Sequence, residues 1–254
     1  GEYSSLTVQE RKDILKEWVK VADKRFVVIA HVGSNSQKSA VELSKHAAEA
    51  GAHAIASIAT SVFKPSNVSD LVDFFVPVAN AASELPFYYY NMPSMTGVCL
   101  PVEKFLIEGR KKMPTLAGVK FTHNNLMEMG VCLDLDNQSF EVLHGYDEIL
   151  ISGLAMGAVA GVGSTYNYIP KVYDGIFMAM ENNNLDAARE LQMKSIRIVE
   201  VIIKYGGGVR GGKAIMNLIG IECGNCRLPI SPMTKDEYET LKDDLKAISF
   251  DTFR

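Results

Sequence analysis

Lys120 is the residue whose surroundings point most directly to chemistry. It ends a short apolar run that starts at Leu116, and Phe121-Thr122 and the polar stretch His123-Asn124-Asn125 follow it. Such a run reads as a strand, which places the amine near the strand's C-terminal end. An amine held against an apolar sheet is costly to keep protonated, and burial disfavours its charged form. A neutral amine is a nucleophile able to attack a ketone and form a Schiff base. The structural alternative is a lysine that snorkels from a strand end into solvent.

Other residues bear on the choice. Pro86-Phe-Tyr-Tyr-Tyr-Asn-Met-Pro93 ends the apolar run before the lysine run. If both are parallel strands, their C-terminal ends share one face, and Tyr90 stands beside Lys120. A phenol there can carry protons for the amine. Tyr88 and Tyr89 read instead as packed tyrosines with satisfied hydroxyls. Asp147 and Glu148, in Gly145-Tyr-Asp-Glu148, either cap a helix start or bind the hydroxyls of a sugar-like substrate. Gly161-Val-Gly163-Ser164-Thr165 lets backbone approach a ligand at a helix N-terminus. His31 ends a strand and reads as a satisfied core histidine rather than a group at the mouth.

Two patterns are decoys. Cys223-Gly-Asn-Cys226 is a lone C-x-x-C with no second pair and no nearby histidine, so it reads as two reduced thiols. Gly207 to Lys213 matches the start of a phosphate-binding loop, but Ala214 stands where Ser or Thr is needed and no strand precedes it.

These residues need a scaffold that aligns strand ends. Thr7-x-x-Glu10 is a capping box opening a helix over about 7–23. Strands are predicted at 26–32, 54–59, 87–91, 116–121, 140–143 and 158–162. Helices are predicted at 36–51, 67–83 (with Pro77 as a kink), 101–111, 124–134 and 147–156, with a long one beginning after Ser164. The strands are continuous apolar runs, the mark of parallel strands covered on both faces. Six strands alternating with helices suggest a (β/α) barrel or a doubly wound sheet. From about Asn182 the alternation stops. A long helix over 185–204, a glycine-rich break at 206–212, a shorter helix at 213–220 and a capped helix from Thr234 form a helical tail. The expected division is 1–181 for the barrel and 182–254 for the tail.

Composition excludes other classes. The chain has 254 residues, 26 Lys and Arg against 30 Asp and Glu, and a net charge of −4. The charge as a whole makes no electrostatic case for nucleic acid or an anionic membrane. No apolar run approaches the roughly 20 residues of a membrane span, and no signal peptide is visible. Four scattered cysteines do not make a disulfide framework, so the chain reads as cytoplasmic.

Four motifs occur in order: Tyr90-Asn-Met-Pro93, Gly118-Val-Lys-Phe-Thr122, Gly145-Tyr-Asp-Glu148 and Gly163-Ser-Thr-Tyr-Asn167. Together they resemble the pyruvate-dependent class I aldolase family that holds N-acetylneuraminate lyase and dihydrodipicolinate synthase, and the resemblance covers the whole chain. It implies a (β/α)8 TIM barrel with a C-terminal helical extension, usually a tetramer. Lys120 is then the Schiff-base lysine and Tyr90 the proton-transfer tyrosine. Thr122 assists near the lysine, and Gly145, Asp147, Glu148, Gly163 and Ser164 bind the sugar portion. The implied reaction cleaves N-acetylneuraminate to N-acetylmannosamine and pyruvate through a covalent lysine imine, with no cofactor and no metal. The synthase pattern carries an arginine two residues after the proline of the tyrosine motif; here Met95 stands there and cannot pair with a carboxylate. The rivals are another 2-keto-acid aldolase of the family and a catalytically inactive homologue that binds or assembles.

Two departures stand out. The family places a tyrosine, reaching into the neighbouring subunit's site, in the loop that here reads Thr60-Ser-Val-Phe63-Lys64-Pro65. The sequence also opens on Gly1-Glu2, which in the family follows a Ser/Thr pair that holds the pyruvate carboxylate. Six strands are therefore expected, as an incomplete barrel with apolar edges exposed at the 26–32 and 158–162 strands.

Overall fold

The computed structural model describes residues 2–254; the expectation placed on Gly1 lies outside them. Among the described residues six strands pair in chain order: β1 (Ile29–His31), β2 (Ala54–Ile58), β3 (Phe87–Asn91), β4 (Leu116–Phe121), β5 (Glu141–His144) and β6 (Ala160–Gly161). The pairs from β1 to β4 are parallel. The helices are α1 (Val8–Val21), α2 (Gln37–Ala50), α3 (Val68–Asn80), α4 (Pro93–Thr96), α5 (Val102–Lys112), α6 (Leu126–Asp134), α7 (Leu150–Ala155), α8 (Pro170–Glu181), α9 (Leu185–Lys204), α10 (Gly207–Leu218) and α11 (Lys235–Ala247). The chain forms two compact units, Leu6–Leu143 and His144–Arg254 with the first residues through Ser5.

In the unit Leu6–Leu143, caps place the helices. Thr7 and Glu10 close the box on α1, Ser36 and Asn67 cap α2 and α3, and Gly51 ends α2 at φ 85°, a left-handed turn that suits glycine. α3 runs through Pro77, which sits in its last turn. Side chains alternate along β3, so its two faces differ. Phe87 and Tyr89 pack against Phe75 of α3, and Tyr89 lies 4.6 Å from the Phe105 ring of α5. Tyr88 and Tyr90 lie on the other face, away from that aromatic cluster. Gly118 has no room for a side chain, because a Cβ there would collide with the Glu141 backbone; its absence lets β5 close onto β4.

In the other unit the core joins Tyr173 and Ile176 of α8, Ile198 and Ile202 of α9, Ile215 of α10 and Leu241 and Leu245 of α11.

Several boundaries differ from expectation. The strand expected at 26–32 is ordered only over Ile29–His31, and Phe26 and Val27 are exposed, Val27 by 72%. The Val28 amide donates to His53 Nδ1 at 2.9 Å rather than to a strand neighbour. At the other end of the order, the strand expected at 158–162 shrinks to Ala160–Gly161, leaving Val159 74% exposed. The helix expected at 147–156 is a 3-10 turn at Asp147–Ile149 followed by α7. The long helix expected after Ser164 is a 3-10 turn at Thr165–Asn167, and α8 begins only at Pro170. Proline favours the first helical position and holds the residue before it out of the helix. The glycine-rich break at 206–212 is instead largely the first half of α10. Gly211 packs directly on Ile202 of α9, so the glycines allow close helix contact rather than a loop.

Candidate active site

In the unit Leu6–Leu143 the register pairs Tyr90 with Lys120 across β3 and β4. Lys120 Nζ lies 4.1 Å from the centre of the Tyr90 ring, close enough for cation–π attraction when the amine is charged. The Tyr90 hydroxyl donates to Met92 Sδ at 3.1 Å. Thr122, two residues beyond Lys120, is 3% exposed and its backbone N–H donates to the Asn91 carbonyl at 2.9 Å. Its hydroxyl has no hydrogen-bond partner, an arrangement that a polar ligand atom would relieve.

His31, expected as a core histidine, is buried beside this cluster. Its ring meets the Tyr90 ring edge-on, with centres 6.1 Å apart. Ala56 of β2 aligns with both His31 and Tyr88. Arg11 of α1 donates to the His31 carbonyl at 2.7 Å and to the Gly33 carbonyl at 2.8 Å, which pins the end of β1. A side chain at Gly33 would press on the imidazole. Burial first, then the charges of Arg11 and Lys120, push the His31 pKa down to about 3, so the ring is neutral near pH 7. Neither Arg11 nor the position of His31 was legible as part of the site; the signal available was only that His31 ends a strand.

The hydroxyl of Tyr88 donates to Glu141 Oε2 at 2.7 Å, and Tyr89 is buried among phenylalanines, so both are packed tyrosines. Met95 and Phe63 are exposed. A cavity of about 430 Å³ opens beside Asn91, Glu103, His123 and Glu128. Neither Lys120 nor Tyr90 lines it, so this cavity and the reactive cluster do not coincide.

The remaining candidates lie in the other unit. Asp147 is 6% exposed. Its carboxylate Oδ2 accepts from the Thr165 backbone N–H at 3.0 Å and from the Thr165 hydroxyl at 2.5 Å, which ties it to the next turn. Gly163 makes the tie possible, because a Cβ there would collide with the Asp147 carboxylate. The Tyr173 hydroxyl lies against Thr165 Oγ1 and 2.9 Å from Ser195 Oγ. Glu148 is half-buried; burial pushes its carboxyl up, and Asp147 adds to the rise. Gly145 is half-buried just before this turn, and Ser164 is exposed and close to Gly208 of α10.

Among the described residues no group of three or more His, Cys, Asp or Glu is placed to hold a metal ion, and no helix is long and apolar enough to cross a membrane. Cys223 and Cys226 are free thiols. The glycines of the phosphate-loop decoy, Gly207 to Gly212, lie within α10.

The sequence matches the model of the dihydrodipicolinate synthetase family over residues 1–248. The chain is similar to N-acetylneuraminate lyase of Mus musculus, at 43% identity over 253 residues, covering 98% of this chain and 79% of that protein. It is 41% identical to N-acetylneuraminate lyase of Homo sapiens, covering all of this chain and 80% of that one. The solved structure of N-acetylneuraminate lyase (sialic acid aldolase) from Aliivibrio salmonicida superposes with a TM-score of 0.94 at 36% identity, over 98% of this chain and 83% of that one. The chain thus spans about four fifths of these relatives' length, and its α/β architecture is of the TIM-barrel type.

Proposed function

This chain belongs to the dihydrodipicolinate synthetase family, and within it we propose that the protein is a carbon–carbon lyase, a class I aldolase that cleaves N-acetylneuraminate reversibly to N-acetylmannosamine and pyruvate. The observation that carries the reading is the pairing of Lys120 Nζ with the Tyr90 ring at 4.1 Å, in a chain about 40% identical to lyases of that name.

The chemistry follows from the amine. Lys120 attacks the C2 ketone of the open-chain sugar and loses water to form an imine. The imine is the electron sink that lets the C3–C4 bond break. A base takes the C4 hydroxyl proton as C4 becomes an aldehyde carbon; Tyr90, with the substrate carboxylate, is that route. The resulting enamine is protonated at C3, and water releases pyruvate and restores the amine. Thr122 offers its hydroxyl beside the lysine. Gly145, Asp147, Glu148, Gly163 and Ser164 take the sugar hydroxyls, through carboxylates and backbone that glycine leaves accessible. The covalent imine takes the place of a cofactor. Met95, where a synthase would carry arginine, supports the lyase branch.

The same reading extends to the scaffold. We assign residues 1–181 to a (β/α)8-type barrel present as six βα units, and 182–254, which carries α9 to α11 and no strand, to a helical extension. The exposed Val27 and Val159 beside the terminal strands support an incomplete barrel. A homotetramer in the cytoplasm fits the family and the four free cysteines.

Borohydride reduction in the presence of pyruvate, followed by peptide mapping, tests the lysine, and release of N-acetylmannosamine from N-acetylneuraminate tests the substrate. A trapped Lys120 with no sugar turnover would leave an aldolase of another 2-keto acid; no trapped lysine would sink the aldolase reading.

A further inference from the structure

α9 buries two polar residues where its apolar face meets the core. Gln192 is 7% exposed and Ser195 fully buried, on the face that also carries Ala188, Ile198 and Ile202. Burying polar groups there is costly unless each is satisfied, and apolar residues would fill the same space without that demand.

Both are satisfied on one target. Gln192 Nε2 donates to the Asp147 carbonyl at 3.0 Å, and Gln192 Oε1 accepts from the Ile151 backbone N–H at 3.0 Å. A single amide therefore closes over a five-residue segment, from the start of the 3-10 turn to the first turn of α7. Ser195 Oγ donates to the same Asp147 carbonyl at 3.0 Å. The Asp147 side chain is held separately by Thr165. Backbone and carboxylate of one residue are thus fixed from two directions. Gln is suited to the span because its amide offers a donor and an acceptor in one rigid plane.

We propose that Gln192 is a positioning residue for sugar binding: its side-chain amide spans the Asp147 carbonyl and the Ile151 amide and fixes the turn that carries Asp147 and Glu148. The inference rests on the reading of that turn as the sugar-binding segment. Affinity for the sugar then depends on a helix that itself need not touch the substrate, while pyruvate capture by Lys120 does not.

Gln192→Met keeps the length and much of the volume but can make neither hydrogen bond; Ser195→Ala removes the second donor to the Asp147 carbonyl together with the hydrogen bond to the Tyr173 hydroxyl. Two quantities are measured on the full chain: KM for N-acetylneuraminate, and the pyruvate concentration that half-saturates borohydride trapping. Gln192→Met is expected to raise KM on the order of tenfold, with the pyruvate value within about twofold of the parent. Ser195→Ala is expected to change KM in the same direction by less, and it carries the test if Gln192→Met fails to fold. An unchanged KM, or equal losses for both ligands, would overturn the proposal. Asp147→Ala, measured alongside, separates the two layers. If it raises KM while the α9 variants do not, the positioning role is wrong and the sugar reading stands. If it leaves KM unchanged, or the parent has no sugar turnover, the sugar reading fails and the positioning role falls with it.

Discussion

Tyr90 and Lys120 are register partners on adjacent parallel strands, and the lysine Nζ sits 4.1 Å from the centre of the tyrosine ring. The two lie on the face of β3 and β4 opposite the Phe75–Tyr89–Phe105 cluster, because side chains alternate along a strand. A strand slip of one residue would turn the lysine into that aromatic cluster.

Lys120→Arg is expected to abolish turnover and leave the fold intact. Arginine keeps a long cationic side chain but holds its proton at any ordinary pH, so it cannot form the imine. Mass spectrometry after reduction with pyruvate should locate the adduct on the peptide containing Lys120 in the parent and on no peptide in the variant. An adduct on a different lysine rules out the assignment.

Tyr90→Phe is expected to lower kcat by roughly 10²–10⁴-fold, the usual worth of a positioned proton carrier. Trapping of pyruvate should weaken far less, since the ring beside Lys120 is retained. Near-normal turnover in this variant would move the proton route to another group.

Asp147→Ala is expected to weaken N-acetylneuraminate handling more than pyruvate capture, because a site built to hydrogen-bond hydroxyls loses discrimination when one partner goes. It should also destabilise the fold by about 1–3 kcal/mol, as the Thr165 N–H and hydroxyl lose a buried acceptor. Denaturant titration reads the second effect and steady-state kinetics the first. A destabilised variant with normal sugar kinetics would make Asp147 purely structural.

His31 predicts an acid limb of stability. Its folded pKa of about 3 lies below the ordinary 6.5, so between those values the unfolded chain binds the extra proton. Its contribution is fully present above about pH 6.5 and is lost as pH falls toward 3, at no more than about 1.4 kcal/mol per pH unit. The charged groups beside it, Arg11 and Lys120, oppose protonation throughout that range. Between about pH 7 and about pH 4.5 the urea midpoint of the parent should fall further than that of His31→Gln. Parallel losses in both proteins would assign the acid limb elsewhere.

The helices with a clear cap were legible from the chain alone. Thr7 with Glu10 and Thr234 with Glu237 each form the expected box, because a cap is decided by residues within one turn of each other. The four central strands were legible for a similar reason: continuous apolar runs bounded by polar residues have few alternatives. The terminal strands were not. Phe26 and Val27 are as apolar as a core strand, and only their place at the edge of the strand order leaves them exposed.

The site divides along the same line. Sequence by itself determined that an amine and a phenol end consecutive strands, and parallel pairing then makes them neighbours whatever the rest of the chain does. Only the tertiary structure decided that His31 meets Tyr90 edge-on, that Asp147 ties to Thr165, and that Gln192 reaches back to the Asp147 carbonyl. Gln192 stands 45 residues from that carbonyl. Such contacts follow from how helices and turns pack, and no local pattern encodes them; a glutamine on an otherwise apolar helix face is the trace they leave in the sequence.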